Sequence, residues 1–286
     1  MGMQVNTNLV ANNAYRQLNN TQNDLSKSLE KLSSGLRINR ASDDAAGLAI
    51  SEGLKSQVNG MTVASRNAQD GISVIQTAEG ALGEVTSILQ RVRDLAVQAG
   101  NDSNNVDSRK AITTEVTALT TELSRIGDST NFNGTNLLDK SANTTGKMSF
   151  QVGAGTGTAN QIVVDLSTAG TDIKTLAADL TTAIVTTDGF ASSSAAATTI
   201  ATIDAAIKSV STSRAELGAN QNRFESVVKT LAVSKENLTA AGSRIRDTDM
   251  AAEMVNYTRA SILSQAGTAM LAQANQSNQG VLQLLQ

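Results

Sequence analysis

The spacing of apolar residues between Ser42 and Gly100 predicts one long helix. Nearly every step between neighbouring apolar residues is three, four or seven residues, which places them in one stripe along an α-helix. The stripe consists of Leu54, Val58, Met61, Ala68, Ile72, Ile75, Leu82, Val85, Leu89, Val92, Ala96 and Ala99. Ser42 is a suitable N-cap, and Gly100 followed by a polar turn ends the pattern. The helix would be about 85 Å long, which is typical of a fibre or a coiled coil.

Two further helices complete the predicted rod. Apolar residues from Ile112 to Ile126, at steps of four and three, predict a second helix that runs antiparallel to the first. From Ile200 to Ile245 apolar residues again repeat at helical spacing, and five of them are seven residues apart. The sequence therefore predicts a mainly α fold, with a long antiparallel helical coiled-coil rod.

The segment between these helices has a different pattern. Apolar residues alternate at 148–152 and at 162–166, and a Gly-rich stretch separates the two runs, so we expect a small β-hairpin with a long loop. A short helix is expected over 172–183. The Ser/Ala/Thr-rich segment 186–199 is expected to be exposed. The glycines of 153–157 precede no Lys-Ser/Thr pair and open no helix, so they are interpreted as turn residues.

The two ends of the sequence have matching apolar seams, which predict paired N- and C-terminal helices. We expect polymerisation through this seam, which consists of Leu18, Leu25, Leu29, Leu32, Leu36, Leu263, Met270, Ala274, Val281 and Leu284. No charged residue follows Arg259, whereas a solvated helix normally carries charges on its outer face. This favours a helix covered by protein on all sides, which orders on association. A disordered polar tail is the alternative.

Charged joints separate the terminal helices from the rod. Arg37 and Arg40 lie in the first joint, and Asp247 and Asp249 lie in the second. These residues could form ion pairs across the two joints, and the sequence alone leaves this open.

The same patterns predict three domains. Residues 1–41 with 247–286 would form the domain of terminal helices that polymerises. Residues 42–138 with 195–246 would form the helical rod, and 139–194 would form the hairpin and a short variable outer segment.

Composition excludes several classes of function. The protein has no Cys and no His, which removes thiol nucleophiles, the commonest general base and most metal ligands, so no catalytic, cofactor or metal site is expected. The net charge of −3 does not favour nucleic acid as a partner. No run approaches the roughly 18 apolar residues that span a bilayer, so no membrane partner is expected. The N-terminus also lacks the pattern of a cleaved signal peptide.

Several motifs resemble those of bacterial flagellin. They occur at both ends of the sequence, in the family's order: Val5–Asn8, Leu29–Asn39, Ala41–Ile50, Leu89–Gln98, Asn131–Gly134, Ser243–Ala251, Ala272–Gln276 and Val281–Leu285. Two positions depart from the family pattern, because Asn278 stands where Pro is usual and Asp94 stands where Glu is common. Neither change disturbs the heptads. Because the family's middle insertion is nearly absent, the sequence resembles a short, core-only flagellin.

This resemblance implies an extracellular filament subunit that polymerises with identical copies into a helical tube for swimming motility. It implies type III export without a cleaved signal peptide, and an export chaperone on the C-terminal helix. It also implies filament cap and junction proteins as partners. The terminal helices would line the inner tube, and the rod and hairpin would form the outer tube.

The resemblance further implies a recognition site for the vertebrate Toll-like flagellin receptor at Gln90, Arg91, Leu95, Gln98 and Glu115. Arg91 and Glu115 are nearly equally far from the turn after Gly100, so they should lie level on adjacent helices. The alternative is that both residues solvate the rod or contact a neighbouring subunit.

Two other classes of protein share the heptads. A filament–hook junction protein would have the end seams without the full motifs at 41–50 and 131–134. A chemoreceptor-like signalling hairpin would need a membrane anchor or sensor, which this sequence lacks. A flagellin with a metallopeptidase insert would need a His-Glu-x-x-His helix, and this sequence has no His.

Overall fold

The computed structural model describes residues 8–142, 145–186 and 189–284, and for 277–284 it describes the backbone alone. Six α-helices lie within these residues: α1 (Leu9–Ser34), α2 (Ala45–Ala99), α3 (Val106–Ser129), α4 (Ile173–Thr181), α5 (Ser193–Arg246) and α6 (Met250–Leu284). Two antiparallel strand pairs lie between α3 and α4 in the sequence: β1 (Asn131–Phe132) with β2 (Thr135–Asn136), and β3 (Lys147–Gln151) with β4 (Gln161–Asp165). The mainly α fold is confirmed.

The protein forms two compact units. One contains both ends (Met1–Val58 with Glu236–Gln286), and the other contains the middle of the sequence (Asn59–Lys235). The long helices α2 and α5 each contribute to both units. The three predicted domains have other limits, and that division stays a prediction.

The middle unit has one continuous aliphatic core. The stripe on α2 from Ala68 to Ala99 is buried almost throughout, and inward-facing residues of α3, α4, α5 and the β3–β4 hairpin pack against it. The hairpin is the one predicted from alternation: Phe150 pairs with Ile162, and Met148 pairs with Val164. The short helix predicted over 172–183 is α4, and the carboxylate of Asp172 caps it by accepting from the Thr175 N–H at 3.1 Å.

Two glycines of α2 allow close packing within the subunit. A Cβ at Gly71 would lie 2.8 Å from Cζ of Phe224, and a Cβ at Gly60 would lie 2.9 Å from Cβ of Ala154. The Phe224 ring is fully buried and meets the Phe150 ring edge to face, with 5.5 Å between the centroids. Gly71 therefore leaves the space that the Phe224 ring occupies.

One sequence expectation is wrong, and another holds only in part. The N-cap of α2 is Asp44, whose Oδ1 accepts from the Gly47 N–H at 2.8 Å, so the helix begins after the predicted Ser42. The segment expected to be exposed over 186–199 is exposed at 191–194 and 197–198, but Phe190, Ala196 and Thr199 are buried in the core and α5 already begins at Ser193. In both cases tertiary packing decided what local composition did not.

Candidate functional site: the terminal helices and the rod surface

Helices α1 and α6 pack along a seam of mostly small residues. The inward positions recur at steps of three and four, and they are Leu18, Thr21, Leu25, Ser28 and Leu32 of α1 with Tyr257, Ala260, Ser264, Gly267, Leu271 and Ala274 of α6. A Cβ at Gly267 would lie 3.2 Å from Cδ1 of Leu18, so the backbones approach closely here. Asn8 caps α1 and also donates from Nδ2 to the Ala274 carbonyl at 3.0 Å.

Three members of the predicted seam do not lie at this contact. Leu29, Leu263 and Met270 are 55%, 53% and 62% exposed, so they do not pack between α1 and α6 within one subunit, and their role in polymerisation stays a prediction. Leu36 is half-buried and lies beyond the end of α1. The side chains of Val281 and Leu284 lie outside the described part of the structure. Leu18, Leu25, Leu32 and Ala274 do face the partner helix.

Large apolar residues surround the seam and remain exposed. We call this set the exposed apolar residues of the terminal helices, and it comprises Leu9, Val10, Tyr15 and Leu29 of α1 with Met250, Met254, Val255, Ile262, Leu263 and Met270 of α6. On α6, Met254, Val255, Ile262 and Leu263 line a shallow apolar groove. Exposed apolar residues on both terminal helices are typical of a surface that contacts another protein.

The joint between α1 and α2 contacts the joint between α5 and α6 through main-chain atoms. Leu36 and Asp247 form an isolated antiparallel bridge. The Arg37 N–H donates to the Arg246 carbonyl at 2.6 Å, and the Arg37 guanidinium donates to the Ile245 carbonyl at 2.5 Å. The arginine therefore stabilises the end of α5 by satisfying a carbonyl that the helix leaves open.

The ion pairs proposed across the joints are not formed. Arg40 pairs with Glu30 at 2.9 Å. The carboxylate of Asp249 accepts from the Ala251 N–H at 2.9 Å, which caps α6. Asp247 joins the contact through its backbone. The guanidinium of Arg37 and the carboxylate of Asp249 instead bond to backbone groups at helix ends, which have no partner within their helix.

Two residues that the sequence analysis missed fix the first joint. Ile38 is buried, and the carboxylate of Asp43 accepts from the N–H groups of Asn39 and Arg40 at 3.1 and 3.0 Å. These two bonds, that from Arg40 first, hold the pKa of Asp43 below its ordinary value. A single aliphatic residue between Arg37 and Asn39 was the available signal for Ile38.

The rod surface brings together two residues of the predicted recognition patch. Arg91 of α2 and Glu115 of α3 are exposed and form a salt bridge at 2.6 Å, so they lie level on adjacent helices as their distances from the turn predict. The side chains of Gln90 and Gln98 are exposed on the same helix. Leu95 is 2% exposed and belongs to the core, so its assignment to the exposed patch is wrong.

A third missed residue is Arg109 at the start of α3. Its guanidinium donates to the carbonyls of Phe190 and Ala191 at 3.3 and 2.9 Å and pairs with Asp102 at 3.4 Å. It therefore links the turn after α2 to the segment that leads into α5. Nothing in the local sequence distinguishes it from other surface arginines, since both carbonyls come from a segment about eighty residues away.

We searched the part of the protein that the structure describes for metal-binding clusters and for membrane-spanning helices. Within it, no cluster of three or more carboxylates is arranged to hold a metal ion. None of the helices described has both the length and the apolar character needed to cross a bilayer.

Paired terminal helices with exposed apolar residues, attached to a charged helical unit, define a structural protein that assembles with others. Comparison with known proteins agrees. Residues 5–143 match the bacterial flagellin N-terminal helical region, and residues 200–285 match the C-terminal helical region. The chain belongs to the bacterial flagellin family, and it is a structural subunit of the extracellular flagellar filament, not an enzyme.

Individual relatives agree with this assignment. A flagellin of Halalkalibacterium halodurans is 50% identical over 99% of this chain and all of its own length. The flagellar filament 33 kDa core protein of Treponema phagedenis is 46% identical, with the same coverage. A flagellar hook-associated protein structure from Vibrio parahaemolyticus (TM-score 0.54) covers 72% of this chain and all of its own, but at 14% identity it shows the fold alone. Filament subunit is therefore favoured over junction protein.

Proposed function

We propose that the exposed apolar residues of the terminal helices are the main contact between neighbouring subunits in the filament. The main observation that supports this proposal is that α6 exposes Ile262, Leu263 and Met270, in a segment that has no charged residue after Arg259. Burying one such side chain stabilises a contact by about 1.5–3 kcal/mol. Because every subunit is identical and contacts are head-to-tail, the polymer stays open and helical. In this arrangement the terminal helices line the inner tube, and the rod with its hairpin forms the outer tube.

Seeded elongation tests this contact. Leu263→Gln should raise the critical monomer concentration about tenfold or more, since each 1.4 kcal/mol of lost contact energy is a factor of ten. The variant should keep the stability of the monomer within about 0.5 kcal/mol, because the side chain is exposed there. Val106→Gln is the matched control, since Val106 is equally apolar, more exposed and on α3. Equal critical concentrations for Leu263→Gln and wild type would refute the proposal.

The same residues of α6 need a cover before assembly. An export chaperone with an apolar groove would bind α6 as an amphipathic helix. It would release the subunit for type III export, which needs no cleaved signal peptide. The groove of Met254, Val255, Ile262 and Leu263 supports this site. Calorimetric titration of the full-length subunit with the flagellar export chaperone should show binding that Ile262→Gln weakens and Val106→Gln does not. Cap and junction proteins would contact the same helices at the filament ends.

The rod surface supports a second role, recognition by the vertebrate Toll-like flagellin receptor. The proposed patch is the exposed Arg91–Glu115 pair with Gln90 and Gln98, without the buried Leu95. An exposed pair contributes only about 0–1 kcal/mol to folding, so its removal should leave the subunit folded. The patch would then act through its charge pattern at the interface.

A charge exchange separates recognition from stability. The double variant Arg91→Glu with Glu115→Arg retains an ion pair but reverses its direction, so the monomer should stay as stable while signalling by reporter cells falls. Arg93→Ala is the control, because Arg93 is partly exposed and forms an ion pair with Asp204, on another side of α2. Unchanged signalling by the double variant would remove the proposal.

A further inference from the structure

The sequence contains two Asn-Gly pairs, and the structure places them in very different backbones. Asn133-Gly134 forms the two-residue loop between β1 and β2, and Asn59-Gly60 lies in the interior of α2. Both asparagines are exposed. Accessibility therefore does not distinguish them, and any difference in their chemistry comes from conformation.

The loop backbone at Asn133 is in the left-handed region. Its φ is +50°, and that of Gly134 is +79°, which is the pattern of a tight two-residue hairpin turn. The turn pairs the flanking residues Phe132 and Thr135, which leaves the Gly134 amide out of the ladder. Apart from its chain neighbours, no atom lies within 4 Å of where a Gly134 Cβ would be, so the space beside this residue is open.

The hairpin is also short. Each of its strands has two residues, and so small a ribbon is marginally stable by itself. Local opening of the loop therefore costs little compared with unfolding of the core. Opening lets the Asn133 side chain rotate toward the following nitrogen.

We propose that Asn133 is a site of spontaneous deamidation in the folded subunit. The Gly134 nitrogen, after giving its proton to hydroxide, attacks Cγ of Asn133. The new C–N bond closes a five-membered succinimide, the original bond from Cγ to Nδ2 breaks, and ammonia leaves with a proton taken from water. Water then adds to either ring carbonyl, which yields aspartate or isoaspartate. The net change is one water consumed and one ammonia released, with no oxidation or reduction.

The second pair is protected by its helix. Within an α-helix each N–H donates to the carbonyl four residues earlier, so the amide of Gly60 is engaged and held away from the Asn59 side chain. Gly60 also packs closely on Ala154. Attack at Asn59 requires local opening of a long packed helix, which costs far more than opening the loop.

The product would change the loop. Isoaspartate routes the backbone through the side chain, which adds one atom to the turn, and both products add a negative charge. A two-residue hairpin turn fixes the register of its strands, so we expect the Phe132–Thr135 pairing to be lost. The pairing lies just before Leu137 and Leu138, which are fully buried.

Peptide mapping of the full-length subunit tests this. The purified subunit is incubated in mildly alkaline buffer, with and without urea, and aliquots are digested with trypsin. Asn59 lies in peptide 56–66, and Asn133 lies in 126–140 with Asn131 and Asn136, so tandem mass spectrometry locates the change. Methyl transfer by an isoaspartyl methyltransferase counts isoaspartate.

In the folded subunit Asn133 should react about tenfold faster than Asn59 or more, as a barrier difference above about 1.4 kcal/mol requires. In urea the two rates should converge, because the dipeptides are identical. Asn133→Gln should abolish most isoaspartate, because glutamine closes the corresponding ring more slowly than asparagine. Asn59→Gln should leave the amount of isoaspartate unchanged. Equal rates in the folded subunit, or isoaspartate that persists in Asn133→Gln, would overturn the proposal.

Discussion

Replacing Gly71 by Ala tests whether the glycines of α2 serve packing within the subunit. The new Cβ would lie 2.8 Å from Cζ and 2.9 Å from Cε1 of Phe224, whereas carbon atoms attract best at about 3.5–4.0 Å. The Phe224 ring would have to move by about 0.7 Å, and this movement would disturb its edge-to-face contact with Phe150. Such overpacking costs about 1–3 kcal/mol.

A matched glycine on the same helix isolates this cost. Gly80 is exposed, and a Cβ there meets no atom within 4 Å. In both variants the helix gains about 1 kcal/mol, because Ala is a better helix former than Gly. Gly80→Ala should therefore be stabilised by up to that amount, and Gly71→Ala should be neutral or destabilised by about 2 kcal/mol. Their difference measures the packing cost alone.

Urea unfolding of the monomer, followed by circular dichroism, measures both variants. We expect the free energy of unfolding of Gly71→Ala to lie about 1–3 kcal/mol below that of Gly80→Ala. Adding Phe224→Leu should relieve the contact, so Gly71→Ala becomes stabilising in that background, as a double-mutant cycle would report. Equal stabilisation by the two alanines would refute the reasoning, and the glycines would then serve contacts between subunits or helix adjustability.

Other features of the fold give three further predictions. Asp44→Ala should lower the free energy of unfolding by about 1 kcal/mol through loss of the α2 cap, whereas Ser42→Ala should have little effect in the same urea titration. Leu95→Ala should cost about 2–5 kcal/mol, so a loss of receptor signalling in this variant would report unfolding, which circular dichroism would reveal. Bonds from Ser167, chiefly, and then Lys147 lower the pKa of Asp165 to about 2. Because the folded-state pKa is lowered, the Asp165 carboxylate contributes to the free energy of unfolding at pH values above its unfolded pKa. This contribution is lost as the pH falls from about 4 to about 2. Thermal unfolding should show Asp165→Asn less stable than wild type at neutral pH, with the difference vanishing near pH 2.

The order of helices α1 to α6 and the β3–β4 hairpin could be predicted from the sequence. The apolar periods at three, four and seven, the alternation at 148–152 and the turn residues are local signals, and local hydrogen bonding and side-chain direction respond to them. The level placement of Arg91 and Glu115 was also predictable, because a tight turn and a constant rise per residue fix which positions meet on adjacent helices. Motifs at both ends were enough to indicate the family.

The tertiary structure decided which protein surface covers each stripe. A helical period shows that Leu25, Leu29 and Leu32 lie near one another, but not which of them faces α6. In the structure the contact between α1 and α6 includes Ser28 and Gly267 together with Leu18 and Leu25, and it leaves Leu29, Leu263 and Met270 outside. Likewise, the joints meet through main-chain atoms, and the ion pairs that the sequence left open are not formed. These choices depend on atoms far apart in the sequence, whereas the sequence by itself determined only what neighbouring residues decide among themselves.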